Sequence, residues 1–230
     1  MRGIIFDIDG TLVDTNLAHV EAWRRAFQRL GYDVPTQRIE LEIGKGGDKL
    51  VPAILGQEGE QRDGERLRKA QKQEFLAIAN HERFPVFPGV PDIFEALRRR
   101  GIETALATSS DDKHLEATLA SAGLDLRRSA DVVVTKSSAD ASKPDPDIVL
   151  AAVEKLGLQP SECAMVGDTV YDAQACRAAG IVFLGVLSGG TPALELLEAG
   201  AVAVWRDVAQ LLDRLDEALE IAAHAGTATE

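Results

Sequence analysis

Ile4-Ile5-Phe6-Asp7-Ile8-Asp9-Gly10-Thr11-Leu12-Val13-Asp14 is the stretch that decides how this chain is read. Ile4, Ile5, Phe6 and Ile8 form an apolar run of the kind buried in a parallel sheet, where side chains alternate faces with a period of two. Asp7 and Asp9 are therefore expected close together at the strand's carboxyl end. Two like charges held close raise each other's pKa, at several kcal/mol if nothing compensates them. The pair implies a cation between the carboxylates, or partners that offset their desolvation, and a site built from oxygen ligands alone suits magnesium. Gly10 and Thr11 then let the chain turn sharply, exposing amides where open parallel sheets bind their ligands. The plainer alternative is an Asp-rich turn capping a helix; against it, comparable turns recur downstream.

Composition bounds the rest. With 230 residues, 45% hydrophobic and 27% charged, the chain can fill one domain, or one domain plus an insertion. A formal net charge of −12 without a compensating Lys/Arg run argues against nonspecific nucleic-acid binding, so an anionic ligand would need a local positive pocket. Cys163 and Cys176 are too few for a disulfide framework or a metal set, and both lie in apolar contexts suited to buried free thiols, which fits a reducing cytoplasm. The amino-terminal run is too short for a signal-peptide core, and no apolar run approaches membrane-spanning length. The expectation is a cytoplasmic protein with neither nucleic acid nor membrane as partner.

Further apolar runs predict buried strands over 102–108, 131–135, 162–166, 181–187 and 201–205. Helical patterns over 90–100, 112–122, 146–156, 169–179 and 192–198 alternate with them, and a terminal amphipathic helix is predicted over 208–222. That alternation marks βαβ units and a parallel sheet covered on both faces. Residues 17–30, 36–43, 48–55 and 65–80 carry no strand character and read as an inserted helical cap. Asp14 to Asn16 would be the outgoing linker, and Phe84-Pro85-Val86-Phe87-Pro88-Gly89 the return; two linkers side by side can act as a hinge. The expected architecture is an α/β, Rossmann-like parallel core over 1–14 and 87–230, with an all-α cap over 15–86. Only residues 225–230 read as frayed.

Three more elements carry chemistry. Leu106-Ala107-Thr108-Ser109-Ser110 ends a strand in hydroxyls, which bind phosphate oxygens together with helix-start amides or simply cap a helix. In Ser142-Lys143-Pro144-Asp145-Pro146-Asp147, two prolines stiffen a loop beside one lysine, which can hold a phosphate and neutralise a carboxylate or remain a solvated loop residue. Val166-Gly167-Asp168-Thr169-Val170-Tyr171-Asp172 delivers a carboxylate at a strand end and a second one helical turn later. A helix cap would explain Asp168 alone more readily than the pair.

In this order, and each at a strand's carboxyl end, the four elements resemble the haloacid dehalogenase superfamily of aspartate-nucleophile phosphotransferases. The resemblance spans nearly the whole chain. It is carried most specifically by Asp7-Ile8-Asp9-Gly10-Thr11-Leu12-Val13-Asp14 and by Gly167-Asp168-Thr169 with Asp172. The insertion resembles the C1-type helical cap of phosphoglycolate phosphatases, sugar phosphatases and β-phosphoglucomutases.

The resemblance implies that Asp7 is the nucleophile and Asp9 the general acid, then base. It implies a magnesium ion held by the Asp7 carboxylate, the Asp9 carbonyl and Asp168, with Asp172 as a further or outer ligand. Thr108, Ser109 and Lys143 would bind the transferring phosphoryl group. The implied partner is a small phosphorylated metabolite; a monomer or homodimer is expected.

Departures narrow the reaction. Dehalogenase members lack a counterpart of Asp9. Thr11 and Gly167-Asp168 stand where β-phosphoglucomutases usually carry valine and Glu-Asp, which favours a phosphatase over a mutase. His19 falls where the mutases' linker histidine would lie, or is simply a helix residue beside Trp23. Lys45 and Lys49, in a glycine-rich stretch of the cap, are candidates to contact the non-phosphate part of the substrate or to close over it; the alternative is a solvated helix start. Trp23, Phe27 and Leu30 read as cap packing. Ser188-Gly189-Gly190-Thr191 reads as a turn away from the phosphate contacts. Two further classes stay open: a silent metabolite-binding module, disfavoured by the intact motifs, and a phosphonate hydrolase using Lys45 or Lys49 as a Schiff-base former.

Overall fold

β1 (Gly3–Phe6) is buried along its whole length, and the sheet is assembled around it. In the computed structural model, which describes residues 1–227, β1 pairs in parallel with β2 (Glu103–Ala107) on one side and β4 (Cys163–Gly167) on the other. With β3 (Val132–Val134), β5 (Val182–Val186) and β6 (Ala201–Trp205) the six-stranded order is β3-β2-β1-β4-β5-β6, parallel at every pairing. The chain builds outward to one edge and then to the other, so the order reverses between β1 and β4, the place where such sheets bind ligands beyond their strand ends.

The period of two in β1 shows directly in the packing. Ile4 and Phe6 join a core cluster on one face, with α4 (Val90–Arg99), α5 (Asp112–Ala122), α10 (Val208–Asp213) and α11 (Leu215–Thr227). Ile5 joins the opposite cluster, with α7 (Asp147–Leu156), α8 (Val170–Ala179) and α9 (Ala193–Ala199). Cys163 and Cys176 are buried free thiols, and burial raises both, Cys163 to about 11. Among the described residues no helix is long and apolar enough to cross a membrane.

Between β1 and α4 lie α1 (Asn16–Arg29), α2 (Thr36–Glu40) and α3 (Gly47–His81). Val20, Trp23, Phe27, Ile39, Leu50 and Leu67 give them a cluster of their own. The far end of α3 instead sends Phe75, Ile78 and Ala79 into the core beside β1. The two chain passages lie together: the Asp14 amide donates to the Pro85 carbonyl at 2.8 Å and the Phe87 amide to the Leu12 carbonyl at 3.0 Å.

Strand positions agree with expectation to within one or two residues, and the differences lie in the helices. α3 is interrupted at Gly56 (φ 72°, ψ 177°), but residues 57–64 are helical although Gly59 and Gly64 weaken the signal there. The helix expected over 208–222 is two, α10 and α11, broken at Arg214. Buried Val208, Leu211, Leu215, Ala218 and Ala222 keep helical spacing across the break, so periodicity cannot reveal it. A one-turn helix, α6 (Leu126–Ser129), was not expected. Residues 225–227 belong to α11 rather than to a frayed end; 228–230 lie outside the described residues.

Phe94 of α4 is 2% exposed, with its ring 5.2 Å from that of Phe6. Phe94→Ala is expected to lower unfolding stability by about 3–5 kcal/mol, the usual loss for a truncated core aromatic, as measured by urea denaturation.

Candidate active site

Asp7 leaves β1 with its amide bound to the Val166 carbonyl of β4 at 2.9 Å, so the strand order itself sets the first carboxylate beside the turn after β4. That turn supplies Asp168, and the first turn of α8 supplies Asp172. Each of these three carboxylates offers an oxygen within 4.8 Å of the others, and all three are buried. Lys143, 1% exposed, brings its ammonium between two of them: it donates to Asp7, and to Asp172 at 2.8 Å. Burial pushes the Asp7 carboxyl well up despite Lys143, and burial plus the Asp172 charge raises Asp168 to about 7. Burial alone would lower the Lys143 pKa, but Asp172 and Asp7 hold it above its ordinary value.

Three carboxylates thus face one ammonium, in an all-oxygen donor set that fits a hard divalent cation. The neighbours leave room in the hydrogen bonding for one. Thr11 Oγ1 donates to one oxygen of Asp168 at 2.7 Å and Asn16 Nδ2 to the other at 3.2 Å, while Asn16 Oδ1 is buried with no hydrogen-bond partner among the described residues. The cap of α8 is Thr169, not Asp168: its hydroxyl accepts from the Asp172 amide at 3.2 Å and donates to the Asp172 carboxylate at 2.6 Å.

Asp9 points elsewhere. Its carboxylate accepts from Thr15 Oγ1 at 2.7 Å and from Thr108 Oγ1 and Ser110 Oγ at 3.1 Å each, and it lies 3.2 Å from His19 Nε2. Burial would raise its pKa, but the His19 charge and these hydrogen bonds hold the carboxyl well below its usual range. His19 is fixed by stacking on Phe75, ring centres 4.2 Å apart. Two carboxylates two residues apart therefore occupy opposite electrostatic settings, one pushed up and one held down, and such perturbed pairs mark candidate functional sites.

Asp7, Asp9, His19, Thr108 and Ser109 line a cavity of about 480 Å³ between the sheet's carboxyl end and α1–α3. Lys45 lines it too, paired with Glu42 and lying 4.6 Å above the Tyr171 ring. Lys49 is not among the lining residues; its ammonium is 2.5 Å from Asp145, which raises its pKa and makes it a poor Schiff-base former. Ser109 Oγ reaches the Gly44 carbonyl at 3.4 Å.

Thr15, Asn16, Ser110 and Gly189 were not singled out from sequence as site residues. Ser188-Gly189-Gly190-Thr191, read as a turn away from the phosphate contacts, is not among the residues lining this cavity but packs against Asp168 and Gly10. Ser188 Oγ donates to the Gly10 carbonyl at 2.7 Å, and Asn16 Nδ2 donates to the Gly189 carbonyl at 3.1 Å. The signal was available, because this loop leaves the carboxyl end of β5, where the sheet's other functional loops begin.

A methyl group on Gly189 would stand 1.6 Å from Asp168 Oδ2. Gly189→Ala is expected to destabilise the protein by about 1–3 kcal/mol through overpacking, read from its denaturation midpoint. Across the cavity, Asp111 caps α5 and is bound by Lys72 of α3. Burial opposes its ionisation, yet hydrogen bonds from His114 and Lys72 hold its pKa well below normal. Its contribution is present above the unfolded value of about 3.9 and fades as pH falls through the lower folded value. The stability gap between wild type and Asp111→Ala should accordingly narrow below that unfolded value in denaturation series across pH.

Comparison with known proteins adds a family. A family model described as haloacid dehalogenase-like hydrolase matches residues 1–180, and a second, related hydrolase model matches 140–227. A phosphorylated carbohydrates phosphatase of Thermotoga maritima is 30% identical over 95% of this chain and 100% of its own length. A phosphoglycolate phosphatase of Nitrosospira multiformis is 33% identical over 78% of this chain and 80% of its own. The crystal structure of a hydrolase from Pseudomonas syringae superposes with a TM-score of 0.87 at 31% identity, covering 94% of this chain and 99% of that one.

Proposed function

The chain belongs to the haloacid dehalogenase-like hydrolase family, and from that premise we propose that it is a magnesium-dependent phosphatase. Its substrate would be a small phosphate monoester of the phosphoglycolate or sugar phosphate type, hydrolysed through a phosphorylated Asp7. The observation that carries this reading is geometric: at one end of the cavity Asp7 clusters with Asp168 and Asp172 around Lys143, while Asp9 turns to Thr15, Thr108, Ser110 and His19. Residues 15–86 would serve as the cap over that cavity.

Asp7 attacks phosphorus in line; its carboxylate oxygen forms the new P–O bond as the bond to the leaving alkoxide breaks. Asp9 delivers the proton that the alkoxide needs, and afterwards takes one from the water that cleaves the acyl phosphate and restores Asp7. The charge of an arriving phosphate works against the depressed pKa of Asp9, and His19, 3.2 Å away, is placed to share that proton. Lys143 holds Asp7 in position and offsets charge on the phosphoryl oxygens, with Thr108 and Ser109 as further donors. Asp7, Asp168 and Asp172 would hold magnesium, with the Asp9 carbonyl as a further ligand. When bound, the ion screens the repulsion between an anionic nucleophile and an anionic ester.

The His19–Asp9 contact also suits a phosphosugar mutase, which would return the phosphoryl group to another hydroxyl rather than to water. Phosphate release from a panel of phosphorylated metabolites with magnesium separates the two. Asp7→Asn is expected to lower turnover to background while leaving the fold intact, as read from its circular dichroism at the assay temperature. Near-native activity in that variant would overturn the assignment, and isomerised product without free phosphate would favour the mutase.

A further inference from the structure

The glycine-rich stretch of residues 44–49 touches three functional loops of the core, those carrying Ser109, Lys143 and Tyr171. The Gly44 carbonyl accepts from Ser109 Oγ. Lys45 lies over the ring of Tyr171, whose hydroxyl donates to the Leu41 carbonyl at 2.5 Å. Asp48 accepts from Ser142 Oγ at 2.6 Å, and Lys49 lies 2.5 Å from Asp145. A methyl group on Gly46 would meet Ser142 Oγ at 2.3 Å, so the backbone approaches this loop as closely as a residue without a side chain allows.

Ser142 and Asp145 bracket Lys143. Ser142 is fully buried, and its hydroxyl has no use in the chemistry described above. Asp145 is the partly exposed outer member of the pair with Lys49. Two consecutive residues at the start of α3 therefore grip the loop on either side of the buried lysine, and they do so from the helical insertion joined to the core by the paired passages at 14–16 and 82–87. Lys49 is outside the cavity lining, which removes it as a substrate ligand in this arrangement.

We propose that Asp48 and Lys49 form a closure latch: docking on Ser142 and Asp145 sets the loop that carries Lys143, so that the phosphoryl site is complete only when residues 44–49 are seated. Lys49, outside the cavity lining, acts through Lys143 alone; Asp48 lines the cavity with its carboxylate bound to Ser142, and it too acts as a positioning residue through Lys143. The inference rests on the phosphatase reading for its consequence, but not for the latch itself.

The test is a charge exchange, with p-nitrophenyl phosphate and magnesium as the probe. Lys49→Asp and Asp145→Lys should each lower kcat about two- to fivefold, the range of a partly exposed ion pair, with KM little changed. The double variant K49D/D145K, which rebuilds the pair in reverse, should return kcat to near wild type. Asp48→Ala should lower kcat about tenfold, as befits a charge-assisted hydrogen bond, while Asp48→Asn, which keeps an acceptor for Ser142, should recover most of it. A raised KM at unchanged kcat, or no recovery in the exchange, overturns the proposal. Small-angle scattering gives a reading free of catalysis: the radius of gyration should rise in both single variants and fall back in the double. If the wild type hydrolyses no phosphate ester, the phosphatase reading fails while scattering still decides the latch, and an unchanged radius in every variant overturns it.

Discussion

The ammonium of Lys143, held between Asp7 and Asp172 in a site almost closed to water, is the interaction on which the arrangement depends. Removing a lysine and its carboxylates from water costs several kcal/mol per ion, recovered only where geometry is good and remaining hydrogen bonds are made. Apolar residues of similar volume would fill the same space at less expense. What the buried charges provide is a fixed positive point beside Asp7, which opposes without cancelling the upward push of burial on its carboxyl. Thr11, Asn16 and Thr169 complete the hydrogen bonding of Asp168 and Asp172, so the oxygens facing Asp7 have little rotational freedom.

The sheet brings these groups together because of its order. Asp7 follows β1 and Asp168 follows β4, neighbours at the point where the strand sequence reverses. β2, on the other side of β1, delivers Thr108 and Ser110 to Asp9. One strand thus serves two half-sites, and the two-residue step from Asp7 to Asp9 takes the chain from the carboxylate cluster to the hydroxyl-lined side. β1 is only four residues long, so this divergence arises in the turn beyond the strand, where the alternation of strand faces no longer applies.

What could be read from sequence follows from this geometry. Strand runs and the four motifs were legible because each is local: a short apolar stretch ending in Asp, Thr/Ser or Lys. Contacts made by residues with ordinary local roles were not. Thr15 and Asn16 look like a helix start, and Gly189 like a turn, yet Thr15 reaches back to Asp9, and Asn16 and Gly189 meet at Asp168 across most of the chain. The break at Arg214 was hidden because helical spacing of apolar residues continues through it, and the helical stretch 57–64 because two glycines obscure it. Lys45 and Lys49 illustrate the limit most plainly. Sequence groups both in one flexible, basic loop, whereas the structure separates them: Lys45 lines the cavity while paired with Glu42, and Lys49 lies outside the lining, paired with Asp145.

A chain of net charge −12 can attract an anion only by concentrating its cations, and the cavity does so on one helix face. Arg68, Lys69 and Lys72 of α3 all line it, with Lys136 opposite from the core. Most of this charge is already engaged: Arg68 by Glu60, Lys72 by Asp111, and Lys136 by two backbone carbonyls. Lys69 has no ion pair or hydrogen bond among the described residues. Paired cations contribute a short-range field that a carboxylate partly cancels, while an unpaired lysine at the mouth of a cavity with low-dielectric walls acts over a longer range.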